Sequence, residues 1–268
     1  MQLAALYRYP LKSAIGEDLE RAWVDGLGIR GDRRWMLVDA ETGRFLTQRV
    51  MPQMTQLLAR WQAGEQGIRL GAPAMPDLDV PVPAEGAPLR QVSIWKDEAL
   101  AADAGDASAA WLSQWLGRPC RLVYLPPEQA RQVDPAYAEL GQRVALADGF
   151  PLLLIGQASL DDLSARVGRP LEMRRFRPNL VVAGSAPYAE DGWRRLRVGE
   201  LILRPVKPCT RCVITTLDPD TGERSVDQEP LATLARYRKG DKGVMFGQNL
   251  LVEGSGWLER GMPVEVLD

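Results

Sequence analysis

Along most of this chain, apolar and polar residues alternate over short stretches, and Gly, Pro or Asp cuts each stretch after a few residues. A period of two is the mark of a half-buried strand. It predicts strands over residues 1–9, 34–39, 67–71, 121–125, 179–183, 197–204 and 213–217. Residues 39–43 and 218–222 read as turns, each ending in a glycine that tolerates positive φ, Gly43 and Gly222.

Helical spacing appears in only a few places. Asp106 can cap a helix running to Leu116, with Ala110, Trp111, Trp115 and Leu116 on one face. Ser159, with Asp162 three residues on, starts a second; Leu160, Leu163 and Val167 face inward and Gly168 ends it. Pro230 opens a third, with Leu231, Leu234 and Ala235 inward and Gly240 closing it. Many short strands and few helices make the fold mainly β, of the barrel or sandwich kind. Two loop-like stretches, 72–88 and 126–149, could hold a boundary. The second divides the chain near its middle, and the first fits as one long loop inside a barrel. The expected domains are therefore 1–125 and 126–268.

With 46% hydrophobic and 25% charged residues over 268 positions, the chain can bury a large core. A net charge of −2 gives no global field for nucleic acid. Its cations instead cluster, as in Arg33-Arg34, Arg174-Arg175-Arg177 and Arg194-Arg195-Arg197. Taken singly, such clusters are solvated faces; the alternative is a site for a small anion. Three cysteines, an odd number, argue against a disulfide framework and for a reducing compartment. Arg8 and Pro10 interrupt the N-terminus before a signal-peptide core can form. The longest apolar run, near 150–155, falls far short of the about 20 residues that span a bilayer. The expectation is a cytoplasmic protein that engages neither membrane nor nucleic acid.

The chain has no histidine, which excludes imidazole acid–base chemistry and His-ligated metal sites. Two of the three cysteines stand together in Lys207-Pro208-Cys209-Thr210-Arg211-Cys212, followed by Val213-Ile214-Thr215-Thr216-Leu217-Asp218-Pro219-Asp220-Thr221-Gly222. A structural zinc site needs four N or S ligands, and the chain offers one pair and a distant Cys120. A thioredoxin-like pair sits where a strand opens into a helix, whereas here β-branched residues follow. Two inert buried thiols would leave Lys207 and Arg211 unexplained. A thiolate flanked by cations can also be one ligand of a metal whose other ligands belong to an organic cofactor. Such a cofactor carries phosphate, so an anion site should lie elsewhere in the chain. Cys120 reads as a core residue.

The cysteine segment resembles the signature of MOSC-domain proteins, in the branch containing the mitochondrial amidoxime-reducing component and bacterial relatives that reduce N-hydroxylated compounds. Five further segments resemble that family's motifs, in its order: Tyr9-Pro10-Leu11-Lys12-Ser13, Gly31-Asp32-Arg33-Arg34-Trp35-Met36-Leu37-Val38, Leu46-Thr47-Gln48-Arg49, Phe176-Arg177-Pro178-Asn179 and Phe246-Gly247-Gln248-Asn249. Together they cover nearly the whole chain. The resemblance implies an N-terminal β-barrel domain followed by a MOSC β-barrel. It also implies a molybdenum cofactor, a phosphorylated pterin dithiolene whose metal is ligated by Cys212. Residue chemistry alone does not choose Cys212 over Cys209, although a thiolate beside dithiolene sulfurs suits a soft-ligand metal site.

By the same resemblance, Lys12, Ser13, Arg33, Arg177, Asn179 and Thr210 hold the cofactor. Their types suit that task, since Arg forks onto phosphate oxygens, Lys gives a point charge, and Ser, Thr and Asn supply polar contacts. Arg49 and Gln248 are weaker candidates, while Arg34, Arg174 and Arg175 are read as solvated or structural. Asp218 could donate a proton, but an Asp-Pro turn is its more ordinary role. The implied activity is reduction of an N–O bond in a small N-hydroxylated substrate. No dinucleotide-binding fingerprint is read in the chain, and no cysteine set for an iron–sulfur cluster, an added ferredoxin domain or a membrane anchor. Electrons are expected from a separate ferredoxin, flavoprotein or cytochrome b5-type donor. Two rival readings are a molybdenum-cofactor or sulfur carrier without turnover, and a thiol oxidoreductase using both Cys209 and Cys212.

Overall fold

The structure is a computed structural model that describes residues 1–62, 64 and 66–268. The first part of the chain contributes β1 (Gln2–Arg8), β2 (Glu17–Leu19), β3 (Arg21–Asp25), β4 (Gly28–Ile29), β5 (Trp35–Asp39), β6 (Leu58–Trp61), β7 (Gly67–Gly71) and β8 (Leu78–Pro81). Then come β9 (Leu89–Ile94), β10 (Asp97–Asp103), α1 (Asp106–Leu116) and β11 (Cys120–Tyr124). The remainder contributes β12 (Arg131–Gln132), β13 (Arg143–Val144), β14 (Leu152–Gly156), α2 (Gln157–Val167), β15 (Leu180–Ala183), β16 (Leu196–Val198) and β17 (Leu201–Arg211). It ends with α3 (Leu231–Tyr237), β18 (Lys239–Gly240), β19 (Gly243–Glu253), β20 (Gly256–Glu259) and β21 (Val264–Val266). Among the described residues the fold is mainly β with three α-helices, as the alternation predicts.

A nine-stranded sheet carries the C-terminal half in the order β2-β1-β15-β14-β19-β17-β16-β21, with β18 against β19. Its inner face buries Leu3, Leu6, Leu152, Leu180, Leu203 and Leu250 in one cluster. As a ladder of paired strands this sheet stays open, where the resemblance implies a barrel. An isolated bridge between Gln2 and Pro263, with the Leu3 N–H donating to the Met262 carbonyl at 2.9 Å, brings β1 back against the segment before β21. The first strands thus serve the far half: β1 pairs with β15, and β3 pairs with β20. Residues 35–124 form a separate pair of sheets, β5-β11-β10-β9 and β6-β7-β8. Trp35, Leu37, Leu112 and Leu122 pack with the second sheet into their own cluster, which also buries Cys120 as expected.

Several local expectations change. Helix α1 keeps its predicted span, but Gly105 precedes it at φ +87° and Asp106 is its first residue, its carboxylate taken by Arg121 Nη1 at 2.6 Å. The buried face holds Ala109, Trp111, Leu112 and Leu116, while Ala110 is exposed. Helix α2 starts at Gln157 rather than Ser159, because the Ser159 hydroxyl is spent elsewhere: it donates to Glu190 Oε2 at 2.9 Å and accepts from the Tyr188 N–H at 2.7 Å. Helix α3 stops at Tyr237, since Gly240 belongs to the β18–β19 pairing. The predicted strand at 197–204 is two strands that turn at Gly199 (φ +58°).

The strand expected over 213–217 is instead a short 3-10 turn, Val213–Thr216. Its β-branched residues suggest a strand, but Thr215 Oγ1 donates to the Cys212 carbonyl at 3.0 Å and Thr216 Oγ1 to the Val213 carbonyl at 2.7 Å. Such local side-chain bonds compete with a ladder. Contrary to expectation, Gly26, Gly28 and Gly31 do have Gly-x-Gly-x-x-Gly spacing. No helix follows them. Gly28 lies in β4 at φ +93°, where a Cβ would stand 2.4 Å from the Pro151 carbonyl oxygen, so the glycine serves strand packing.

Candidate functional site

The cleft lies where residues 9–14 run beside residues 33–35. The Arg33 N–H donates to the Tyr9 carbonyl at 2.7 Å and the Lys12 N–H to the Trp35 carbonyl at 2.8 Å, tying the first strand's exit to the entry of β5. The backbone here is unusual. Ser13, Arg33 and Arg177 sit at φ +66°, +45° and +55°, a region that L side chains rarely adopt. Each such residue costs about 1–3 kcal/mol, and such strain clusters at functional sites. All three line one cleft with ≈ 880 Å³ of empty space.

One end of the cleft is built around Tyr9. The Arg33 guanidinium lies 4.2 Å from its ring centroid and that of Arg177 4.3 Å. Arg33 Nη1 donates to Asp32 Oδ2 at 2.6 Å and to Asn179 Oδ1 at 3.0 Å, and its Nη2 donates to the Arg177 carbonyl at 3.1 Å. Asn179 Oδ1 also accepts the Leu153 N–H at 3.2 Å, while its Nδ2 donates to the Tyr7 carbonyl at 3.1 Å. Arg177 Nη1 donates to the Ala14 carbonyl at 2.7 Å, so most of its donors remain open. Burial pushes its guanidinium down to about 10, with Tyr9 acting in the opposite sense and Arg33 in the same one. Lys12 is buried, with Nζ donating to the Leu146 carbonyl at 2.8 Å and to Asp148 Oδ1 at 2.5 Å, which leaves a proton free. Desolvation lowers its ammonium and Asp148 opposes that shift.

The other end is the cysteine segment. Pro205 and Pro208 cannot donate to a ladder, and β17 bulges against β19 beside each, between Pro205 and Lys207 and between Pro208 and Thr210. The strand ends at Arg211, and Cys212, in extended conformation, precedes the 3-10 turn. Arg49 Nη2 donates to Cys212 Sγ at 3.2 Å and its guanidinium lies 4.4 Å from the Trp95 ring centroid. Desolvation pushes the Cys209 thiol up, against a lowering by Arg211. Arg211 Nε and Nη1 donate to the Phe246 and Phe176 carbonyls at 2.8 and 2.9 Å, while its Nη2 is buried with no partner.

The residues to which the resemblance gives a cofactor role line this one cleft: Lys12, Ser13, Arg33, Arg177, Asn179, Thr210 and Cys212, with Cys209 beside them. Arg49 lines it too. Gln248 does not; its Nε2 donates to Asp191 Oδ1 at 2.8 Å, and its neighbour Asn249 faces the cleft instead. Lys207 also turns away, its ammonium 4.5 Å from the Tyr137 ring centroid. Asp218 is a turn residue: it accepts the N–H groups of Asp220 and Thr221 at 3.0 Å, and these hold its carboxyl below the usual range. Arg34 braces Leu125, and Arg174 binds Asp220 at the surface. Arg175 lines the cleft while donating to the Leu217 carbonyl at 2.6 Å.

Asp148, Arg175, Arg211 and Asn249, which the sequence reading gave no cofactor role, also line the cleft. Arg211 carried a visible signal, a cation inside the cysteine segment. Asp148 carried none, because its approach to Lys12 depends on a loop 136 residues away.

The donor set can be tested against a metal cofactor. Among the described residues no group of three or more His, Cys, Asp or Glu side chains could hold a metal ion. Cys212 and Cys209 instead line the cleft as soft donors, and the cations of Lys12, Arg33, Arg177 and Arg211 line the same space. Arg211, in the wall of this space, has its Nη2 buried without a hydrogen-bond partner. This set suits a metal that brings most of its own ligands on an anionic organic group. Among the described residues no helix is long and apolar enough to cross a membrane.

Comparison with known proteins agrees with this geometry. Residues 1–119 match the MOSC N-terminal beta barrel domain and residues 141–265 the MOSC domain. Mitochondrial amidoxime-reducing component 1 of Mus musculus is 35% identical, over 99% of this chain and 82% of its own length. The Homo sapiens protein of the same name is 33% identical over the same shares. Molybdenum cofactor sulfurase of Oryza sativa subsp. japonica is 29% identical over 98% of this chain but only 35% of its own length. The chain therefore belongs to the MOSC-domain family whose members carry the MOSC N-terminal barrel domain.

Proposed function

We propose that this chain is a molybdenum-cofactor-dependent reductase of small N-hydroxylated compounds. The observation that carries the reading is the convergence of Cys212 with Lys12, Arg33 and Arg177 in one cleft, from motifs far apart in the chain. Relatives named for amidoxime reduction support it across nearly the full length. Bound there, the cofactor supplies an oxygen-accepting, two-electron redox centre. Cys212 Sγ is the protein's metal ligand, and Arg49 fixes its position through an N–H on the sulfur. Lys12, Ser13, Arg33, Arg177 and Thr210 hold the phosphate and pterin. Asn179 acts chiefly as a clamp, since both ends of its amide already bond to the protein. Cleavage of each N–O bond consumes two electrons and two protons and releases water. The electrons come from a separate ferredoxin, flavoprotein or cytochrome b5-type protein. Three free cysteines fit a reducing compartment, and we place the chain in the cytoplasm.

The test uses protein made in a cofactor-competent host. It should hold about one molybdenum per chain and reduce benzamidoxime with a low-potential dye, but not with NADH alone. Adding a flavoprotein reductase and a small electron carrier should restore NADH-dependent turnover. Direct NADH turnover would refute the need for a donor. The likeness to a cofactor sulfurase supports a second reading, a cofactor or sulfur carrier. Molybdenum-loaded protein with no dye-driven turnover would favour that carrier.

A further inference from the structure

A hollow on the protein surface adjoins the cofactor cleft and shares Thr47 and Arg49 with it. Phe45 and Leu46 in its wall are buried, whereas Trp95 is 50% exposed and Val50 63%. The Trp95 ring is nevertheless held by three contacts. Its Nε1 donates to Asp148 Oδ1 at 3.1 Å, the Arg49 guanidinium lies 4.4 Å from its centroid, and Phe45 meets it edge to face at 5.0 Å. Trp95 is also the first residue of the two-residue turn between β9 and β10, at φ +59°. Tight hairpin turns favour glycine, asparagine or aspartate at such a position, and a bulky residue there is strained. The fold thus keeps a strained, half-exposed tryptophan fixed before anything binds. Ordered tryptophans are among the commonest anchors of protein interfaces, and pre-ordering lowers the cost of docking.

The charge around this ring is in positive excess. Three arginines and one aspartate line the hollow, and Arg118 already takes that aspartate, Asp39, at 2.6 Å. Arg44 is exposed and has no ion-pair partner among the described residues, and the same holds for Lys96, next to Trp95. Against them stands Glu41, exposed in the turn before Arg44. A second copy of this chain would set the same cations face to face across a two-fold axis. A partner that rings an apolar contact with carboxylates matches both the tryptophan and the charge. The position of the hollow points to the partner's task. Arg49 touches the Trp95 ring and donates to Cys212 Sγ at 3.2 Å, so one side chain joins the surface anchor to the proposed metal ligand.

Resting on the reductase reading, we infer that this face is the docking surface of the electron donor, an acidic carrier protein. Trp95 is its anchor, and Arg44 and Lys96 steer and orient the carrier. Each N–O bond cleaved oxidises the carrier by two electrons, in one visit or in two one-electron visits. Those electrons reduce the centre that Cys212 ligates, and two protons from solvent complete the water released.

The experiment measures binding to the cofactor-free full chain by calorimetry, with two acidic carriers as probes: a two-iron ferredoxin and the soluble haem domain of cytochrome b5. At least one should bind at low salt and lose most of its affinity at high salt. Trp95→Ala should weaken binding about tenfold. Arg44→Glu combined with Lys96→Glu should weaken it about tenfold at low salt and little at high salt. Neither Arg44 nor Lys96 lines the cofactor cleft. The loaded double variant should therefore match the parent in molybdenum content and dye-driven turnover, while its carrier-driven turnover needs several times more carrier. Binding of neither carrier, or binding that these variants leave unchanged, would overturn the surface. So would self-association, or attachment to anionic lipid vesicles, in place of carrier binding. Variant-sensitive carrier binding by molybdenum-loaded protein that turns over with neither carrier nor dye would leave the surface standing and overturn the reductase reading instead.

Discussion

At the Tyr9 end of the cleft, Arg33 donates to Asp32, to Asn179 and to the Arg177 carbonyl, and Asn179 donates to the Tyr7 carbonyl, before any ligand arrives. At the cysteine end, Cys212 takes one N–H from Arg49, and Arg211 keeps a buried nitrogen without a partner. Arg33, Asp32 and Asn179 are thus held by the protein itself, although Arg177 and Lys12 beside them keep donors open, while at the second end the sulfur has a single side-chain partner. Pre-organised groups lose little freedom on binding, so under the proposed function the first end would fix where the cofactor's anion sits. The cysteine end would then decide which chemistry is held beside it.

The sharpest way to break this contrast is at the sulfur. Cys212→Ala should abolish molybdenum retention, while Cys209→Ala keeps a good part of it. Metal analysis of both variants from a cofactor-competent host checks this. Equal retention in both would remove Cys212 from the metal, and equal loss of activity in metal-free protein would favour a thiol–disulfide reaction.

Next in size are the two arginines. Arg33→Ala and Arg177→Ala should each weaken cofactor affinity roughly ten- to a hundredfold, about 1.5–3 kcal/mol for a charge-assisted contact. Their effects on stability should differ. Arg33→Ala strands a buried Asp32 and leaves Asn179 short of a donor, costing about 1–3 kcal/mol, whereas Arg177→Ala gives up one bond to Ala14. Urea melts of the cofactor-free variants should rank Arg33→Ala as the less stable. The reverse order would mean that the Tyr9 end is braced from the Arg177 side.

A smaller effect should follow Thr215→Val, which removes the hydroxyl bonded to the Cys212 carbonyl. We expect a loss of about 1 kcal/mol in stability with partial loss of metal retention. Unchanged metal content would show that the turn is held without that hydroxyl. The smallest effect concerns Cys209, whose thiol burial pushes up. In the Cys212→Ala protein its alkylation should lag a free thiol at pH 8 and rise at higher pH, as the thiolate fraction grows. Rapid labelling at pH 8 would show that the Arg211 cation outweighs burial.

Much of the cleft was legible in the sequence because short motifs carry its residue types: a cation and a hydroxyl in Lys12-Ser13, a forked donor in Arg33 and Arg177, a soft ligand in Cys212. The motifs could not show that Ser13, Arg33 and Arg177 need left-handed backbone, since residues outside glycine rarely adopt it and nothing in their side chains announces it. Asp148 and Asn249 reach the cleft only through tertiary packing. Residues 213–217 were misleading for the opposite reason. Their β-branching is genuine, but two threonine hydroxyls turn the chain locally. Gln248 alternates with Asn249 along β19, so a strand's period of two was enough to aim the wrong neighbour at the cleft.

The pairing of β1 with β15 and of β3 with β20 sets a timetable for synthesis. The first strands leave the ribosome early, yet of the residues they pair with, 180–183 are made only after two-thirds of the chain and 256–259 near its end. At about 5–20 residues per second, Leu6 waits roughly 10–35 s for Leu180. During that interval residues 35–124 can fold on their own sheets, while the apolar side of β1 stays uncovered. A nascent chain halted before residue 180 should therefore bind holdase chaperones through its first residues, and one halted after residue 259 should not.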